Sequence, residues 1–356
     1  MASSPARRHR LNQQSLTDRR QFFAALSQRS EVAGPEVAGD HWIRVHRRAM
    51  ACRFEITLAA ADGVFVPAAI RALDEIDRLE RELSVFIPTS AISGVNRDAA
   101  NGPVAVPAYV AELLADCQRV HRDTDGAFDV TTTPLSRCWG FVRREARVPR
   151  LEAIEDARRQ VGFGAVHVSS DPPSVTFRRP GIEVSLGAVG KGYALDRARA
   201  VLRASGVQHA LLSAGGSSIV ALGGRGDGWV VDVVSVLRPG RLIATLSLRN
   251  AALGTSGAGE QFVVQDGRRY GHVIDPRTGW PVDGTLSATV VTSDAARADA
   301  LSTAFLVGGL DLARRYCGEH PAVLALITPD DGSERTIAVG AHLAARVVSN
   351  CGKEDR

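Results

Sequence analysis

The chain has 356 residues, room for one large domain or two ordinary ones, and its 45% hydrophobic but only 5% aromatic content leaves core filling to aliphatic side chains and alanine. Its net charge of +4 is uneven: residues 1–48 hold nine arginines and four acids, hence +5, leaving the remainder at 4 − 5 = −1. A body so close to neutral excludes a basic footprint for nucleic acid or an anionic membrane, and no run reaches the roughly 20 apolar residues of a membrane span.

Residues 1–40 are polar and charged and are expected to form a flexible N-terminal extension. Within them, "DRRQFFAALSQRSE" places an apolar step after twin arginines. The apolar run "FFAAL" is shorter than the roughly 7–15 residues of an export signal. A cytoplasmic location is therefore expected, with export through a degenerate twin-arginine-like start as the alternative. The cysteines, at 52, 117, 138, 317 and 351, are odd in number and form no C-x-x-C pair, which suits reduced thiols better than disulfides or zinc.

"WIRVHRRAMACRFEITLA", from residue 42, reads as an opening strand whose second half alternates sides. A helix follows, with Ile70, Leu73, Ile76, Leu79 and Leu83 on one face. "TSAISGVNRDAANGPVAVP" reads as turns, "AYVAELLADCQRVHRDTDG" as a second helix, and "AFDVTTTPLSRCWGF" fits neither period, as an active-site loop would. Residues 151–185 read as a short helix and two strands. A glycine loop then leads into the helix "YALDRARAVLRASG", stopped by Gly206. Beyond it come strand pairs, a hairpin turning at Asp266–Gly267, the strand "LSATVVTSD", a helix "DAARADALSTAFLVGG" closed by paired glycines, and a final hairpin. Strands dominate, with helices falling between clusters of them. The predicted class is α+β, with mixed or antiparallel sheets flanked by helices, in one domain over residues 41–345 followed by a polar tail at 346–356.

Three segments carry candidate chemistry. "LGAVGKGYALD" holds Lys191, the only lysine besides Lys353 in an arginine-rich chain. The spacing of Gly187, Gly190 and Gly192 is not that of a P-loop. A glycine loop entering a helix N-terminus can still bind phosphate, with lysine as a compact point charge beside it; the alternative is a tight turn with a solvated lysine. In "ARADALSTAF", Asp299 and Thr303 share a helix face and offer hard oxygen ligands, which suit magnesium or calcium rather than zinc; taken alone, a local hydrogen bond and a packed methyl explain the pair more simply. In "GHVIDPRTGWPV", His272 and Asp275 stand where a strand meets a turn. They could serve acid–base chemistry or simply form a hydrogen-bonded corner. Phosphate, hard cation and histidine together suit phosphoryl transfer, and the absence of a G-x-S-x-G elbow argues against serine acyl chemistry.

These segments, with "SAGGSSIVALG", "LGTSG", "LSVFIPTSAISGVN" and "GAFDVTTTPLSRCWGF", occur in one order from Trp42 to Gly340. That order resembles the FAD:protein FMN transferases, the ApbE-like family, whose catalytic domain is related to the T-fold. The resemblance implies a magnesium-dependent enzyme that passes FMN from FAD, through its phosphate, to a Thr or Ser of an acceptor flavoprotein and releases AMP. A magnesium-dependent FAD pyrophosphatase and a non-catalytic FAD-binding protein are the alternatives. By position it implies Asp299, Thr303 and the backbone carbonyl of Ala188 as metal ligands, and Met50, Phe86, Ala127, Phe128, Asp129, Lys191, His272 and Val273 as FAD contacts. His272 and Asp299 would be the catalytic pair, with His272 taking the acceptor's proton. The chain departs from the family's usual pattern at Ser185 (usually Asp), Ala91 (often Glu), Ala258 (Asp or a similar polar group) and Phe86 (often Tyr). "DGTLSATV" also partly resembles the acceptor motif of such enzymes, with Thr289 in the acceptor place, although an ordinary strand is the favoured reading, since its alternating residues need a buried partner face.

Overall fold

A computed structural model describes residues 41–350, apart from 144, 225, 237, 239, 260 and 334. The expected extension at 1–40 lies outside the described residues. In chain order the elements begin with β1 (Trp42–Ala49), β2 (Cys52–Ala59), α1 (Val66–Leu83), α2 (Ala91–Asp98), β3 (Val104–Ala105), α3 (Ala108–Asp123), α4 (Thr133–Cys138) and α5 (Leu151–Arg158). There follow β4 (Val166–Ser170), β5 (Pro173–Phe177), α6 (Gly190–Ala204), β6 (Ala210–Ala214), β7 (Ser218–Leu222), β8 (Trp229–Val234), β9 (Leu242–Leu248) and β10 (Ala251–Gly257). The chain closes with β11 (Phe262–Gln265), β12 (Arg268–Gly271), β13 (Thr285–Thr292), α7 (Ala295–Glu319), β14 (Leu324–Pro329), β15 (Ile337–Gly340) and β16 (Ala345–Asn350).

An eight-stranded sheet in the order β1-β2-β6-β7-β10-β13-β14-β15 forms the centre, and every neighbouring pair is antiparallel. Side chains alternate between its faces, and this alternation sorts consecutive residues into two cores. Leu212, Val220, Ala252 and Val290 pack against α1, α6 and α7. Their neighbours Leu211, Ala221, Ala251 and Val291 meet Trp229, Val231, Leu246 and Leu248 from the β16-β9-β8 sheet on the opposite side. Strand β13 lies between both layers and is buried at every residue. The architecture is α+β with antiparallel sheets flanked by helices.

Four local readings change. The opening segment is a hairpin rather than one strand, because Met50 and Ala51 take left-handed φ values of 48° and 60° and reverse the chain. The turn-rich stretch contains α2, nucleated by Ser90, whose side chain accepts the Ser93 N–H at 3.0 Å. The paired glycines do not end α7: Gly309 interrupts it with φ 68° and ψ −163°, and the helix resumes to Glu319. The tail does not start at 346, since β16 pairs with β9 through Asn350; residues 351–356 lie outside the described residues.

Candidate active site

A cavity of about 600 Å³ opens where α1, α6, α7 and the loops after β5 and β12 converge, a size usual for a small-molecule or cofactor site. One wall is largely apolar, with Met50, Leu83, Val85, Phe86 and Ile87. The facing wall is polar, with Lys191, Thr255, Ser256, His272, Asp299 and Thr303.

Two close approaches bring the polar wall together. A Cβ on Gly192 would lie 2.2 Å from the Ala295 carbonyl oxygen, and one on Gly254 would lie 2.6 Å from the Ala298 carbonyl carbon. Glycine at both places lets the backbone of α7 seat directly on α6 and β10. Asp299 is thereby inserted beneath the glycine loop. Its carboxylate accepts the Gly192 N–H at 2.8 Å and the Ser218 hydroxyl at 2.8 and 3.0 Å. Burial pushes this carboxyl up to about 6 from an ordinary 3.8, against the Lys191 ammonium and those two hydrogen bonds, which act to lower it. One turn on, the Thr303 hydroxyl donates to the Asp299 carbonyl at 3.2 Å and lies 3.2 Å from Ser256 Oγ, which in turn is 2.8 Å from Ser302 Oγ.

The glycine loop becomes helical earlier than the sequence implies: α6 starts at Gly190, so Lys191 lies in its first turn and donates to Ser217. A cation there opposes the helix dipole, whose positive end favours anions.

His272 and Val273 are fixed from both flanks. The His272 N–H donates to Gln261 at 2.9 Å, and the Val282 N–H donates to the Val273 carbonyl at 2.9 Å. The Phe141 ring meets the imidazole edge-on, with centroids 6.5 Å apart. Phe141 belongs to a small separate core with Leu135, Trp139 and Ile154. Trp139 ties that core to the 275–280 turn through Nε1–H donated to the Gly279 carbonyl at 3.0 Å. Asp275 forms the corner: its carboxylate accepts the Arg277 backbone N–H at 2.9 Å and pairs with the guanidinium at 2.8 Å.

Of the residues expected from sequence, Met50, Phe86, Ala127, Asp129, Ala188, Lys191, His272, Val273, Asp299 and Thr303 line this one cavity. Phe128 does not: its ring is buried in the main core, and its carbonyl oxygen lies 2.8 Å from His121 Nδ1. The Asp129 carboxylate is occupied locally, accepting the Thr131 N–H at 2.7 Å and the Phe163 N–H at 3.0 Å. Thr289 cannot act as an acceptor in this fold; it is 2% exposed within β13, with its hydroxyl 2.9 Å from that of Thr255. Sequence reasoning missed Glu80, Ser218, Ser256 and Ser302. Ser218, Ser256 and Ser302 all stood inside quoted motifs, but a hydroxyl in a strand or helix carries no signal of its own.

A sequence model of the ApbE family matches residues 50–327. The chain belongs to the ApbE family. It is similar to the FAD:protein FMN transferase of Treponema pallidum, at 32% identity over 281 residues covering 73% of this chain and 77% of that one. It is also similar to the FAD:protein FMN transferase of Vibrio cholerae, at 28% over 334 residues covering 88% and 95%. Among solved structures, the ApbE protein of Thermotoga maritima superposes with a TM-score of 0.75 at 29% identity, over 85% of this chain and 97% of that one. The flavinyl transferase ApbE of Pseudomonas stutzeri superposes at 0.72 with 25% identity, over 84% and 94%. The ApbE match takes in the whole cavity, from Met50 through Asp299 and Thr303. Among the described residues of this ApbE protein, no group of three His, Cys, Asp or Glu side chains could hold a metal, and no helix is long and apolar enough to cross a membrane.

Proposed function

We propose that this protein is an FAD:protein FMN transferase, which moves FMN from FAD to a Thr or Ser hydroxyl of an acceptor flavoprotein and releases AMP. The observation that carries the reading is the buried carboxylate of Asp299, held at a raised pKa beside Lys191 on the same polar wall as His272. An acid kept in so costly a place suits a cation site, and its neighbours are hard oxygens, which fit magnesium. Asp299, the Thr303 hydroxyl and the Ala188 carbonyl would hold the ion. When bound, it neutralises charge on the diphosphate and on the departing AMP.

The chain's own groups supply the rest. Lys191 and the first turn of α6 receive the anionic diphosphate. The apolar wall of Met50, Val85 and Phe86 accepts the flavin ring, with Phe86, 79% exposed at the mouth, available to stack on it. Ala127 and Asp129 border the same wall. His272, oriented by Gln261 and Phe141, takes the proton from the acceptor hydroxyl as its oxygen bonds to the FMN phosphorus and the bond from that phosphorus to the AMP oxygen breaks. We assign the protein to the cytoplasm, supported by the free, unbridged thiols of Cys117, Cys138 and Cys317.

Incubation with FAD, magnesium and a candidate acceptor tests the reading. A fluorescent adduct on the acceptor that survives denaturation is expected. Free FMN plus AMP with no adduct would identify a pyrophosphatase, and unchanged FAD a carrier. His272→Ala is expected to retain FAD while losing transfer.

A further inference from the structure

We propose that Glu80 is a positioning residue of the flavin wall: its carboxylate holds the Met50–Ala51 turn in the strained form that shapes the cavity. The ligand's identity rests on the transferase reading; the geometry does not. Met50 and Ala51 are consecutive left-handed residues, at φ 48° and 60°, where a two-residue hairpin turn ordinarily takes asparagine and glycine. Neither side chain relieves that strain, so something outside the turn must hold it. Ala49 and Cys52 are the last paired residues of the hairpin, which leaves the Met50 N–H outside the ladder and in need of an acceptor. Glu80 Oε1 receives it at 2.8 Å across 30 positions of sequence.

The position of Glu80 is itself unfavourable. It lies in the last turn of α1, where the dipole disfavours a carboxylate. Arg81 in the same turn suits the dipole, whereas Glu80 runs against it. Met50, Ala51 and Glu80 all line the cavity, beside Leu83, Ser84 and Phe86 at the end of the same helix. The bond therefore fixes the distance between the hairpin turn and the helix end that together form the flavin wall. Loss of the acceptor frees Met50 and Ala51 to relax toward unstrained φ values and moves that wall.

The test is titration of FAD, in magnesium, followed by flavin fluorescence, on the full chain and three variants. Glu80→Gln retains an acceptor oxygen and is expected to bind FAD within about twofold of wild type, whereas Glu80→Ala is expected to bind about tenfold more weakly. Adding Ala51→Gly to Glu80→Ala should restore most of the affinity, because glycine adopts the left-handed turn without external support. A purely structural role would not give this pattern. FAD affinity unchanged in Glu80→Ala, or lost equally in Glu80→Gln, would overturn the proposal; should Glu80→Ala fail to fold, the Glu80→Gln result decides alone. Failure of the wild type to bind FAD would instead refute the transferase reading before any variant is compared.

Discussion

Asp299→Asn should make the metal-free protein more stable while abolishing its activity. The Asp299 carboxyl has its folded-state pKa raised to about 6, by burial, from 3.8. A raised acid is stabilising in its protonated form: the unfolded chain loses its proton near 3.8 and the folded chain only near 6, so stability falls as pH rises across that window. Above it the full difference applies, about 3 kcal/mol. Asparagine fits the same bonds. Its Oδ1 can accept the Gly192 N–H, and its Nδ2 can donate to Ser218 Oγ, which accepts as readily as it donates. Asp196, likewise raised to about 6 by burial, is present in both proteins, and its repulsion of the Asp299 charge is one of the causes already contained in the raised value of Asp299. In chelator at pH 7.5 the variant should therefore gain up to about 3 kcal/mol, or about 6 °C in melting temperature for a domain of this size. At pH 4.5 the gain should shrink to about 1 kcal/mol. Magnesium should raise the wild type's melting temperature at pH 7.5 and leave the variant unmoved. Thermal unfolding by circular dichroism at the two pH values reads all of this. A folded Asp299→Asn less stable than wild type at pH 7.5, or one still stabilised by magnesium, would refute the argument.

Gly192→Ala should destabilise by about 3 kcal/mol in denaturant unfolding, because its Cβ would fall 2.2 Å from the Ala295 carbonyl oxygen and rigid backbone cannot yield. Lys191→Arg should weaken FAD binding about tenfold by fluorescence titration, since a planar fork must enter a half-buried place that a compact ammonium fills beside Ser217. Wild-type protein incubated with FAD and magnesium should show an unshifted intact mass, as Thr289, the residue resembling an acceptor, is enclosed on both faces of β13.

Most of the architecture was legible because its signals are periodic. The apolar face of α1 at Leu73, Ile76, Leu79 and Leu83, the alternation along β2 and the Asp266–Gly267 turn each follow from spacing that neighbours determine, whereas Ile70, expected on that face, is exposed in the first turns of the helix. What escaped was decided by distant partners. The reversal at Met50–Ala51 lacks turn residues and depends on Glu80, thirty positions away. The passage of α7 through Gly309 depends on packing beneath it rather than on propensity. The site reads the same way. Asp299 and Thr303 were visible as a helical pair and Lys191 as an exception to an arginine habit. Ser218 and Ser256 were invisible, because a serine's role is set by what the fold puts opposite it. Phe128 shows the converse: within a run of three adjacent residues, Ala127 and Asp129 reach the cavity while the ring between them turns into the core.

The polar wall combines two placements that are each unfavourable alone. Asp299 is an acid buried where its charge is penalised, and Lys191 is a cation at the positive end of a helix. They lower each other's cost, but only in part, since the Asp299 carboxyl remains raised despite the ammonium nearby. The residual penalty is what a divalent cation would remove from the acid and a diphosphate from the lysine. Bound together, the two ligands complete an alternating set of charges that the protein alone leaves half made. Glycine at 192 and 254 is the condition for that arrangement, because any side chain there would lift α7 away and return Asp299 toward water. Affinity for cation and dinucleotide should accordingly be reciprocal, each tightening the other, with the coupling lost in Asp299→Asn while some FAD binding on the apolar wall remains.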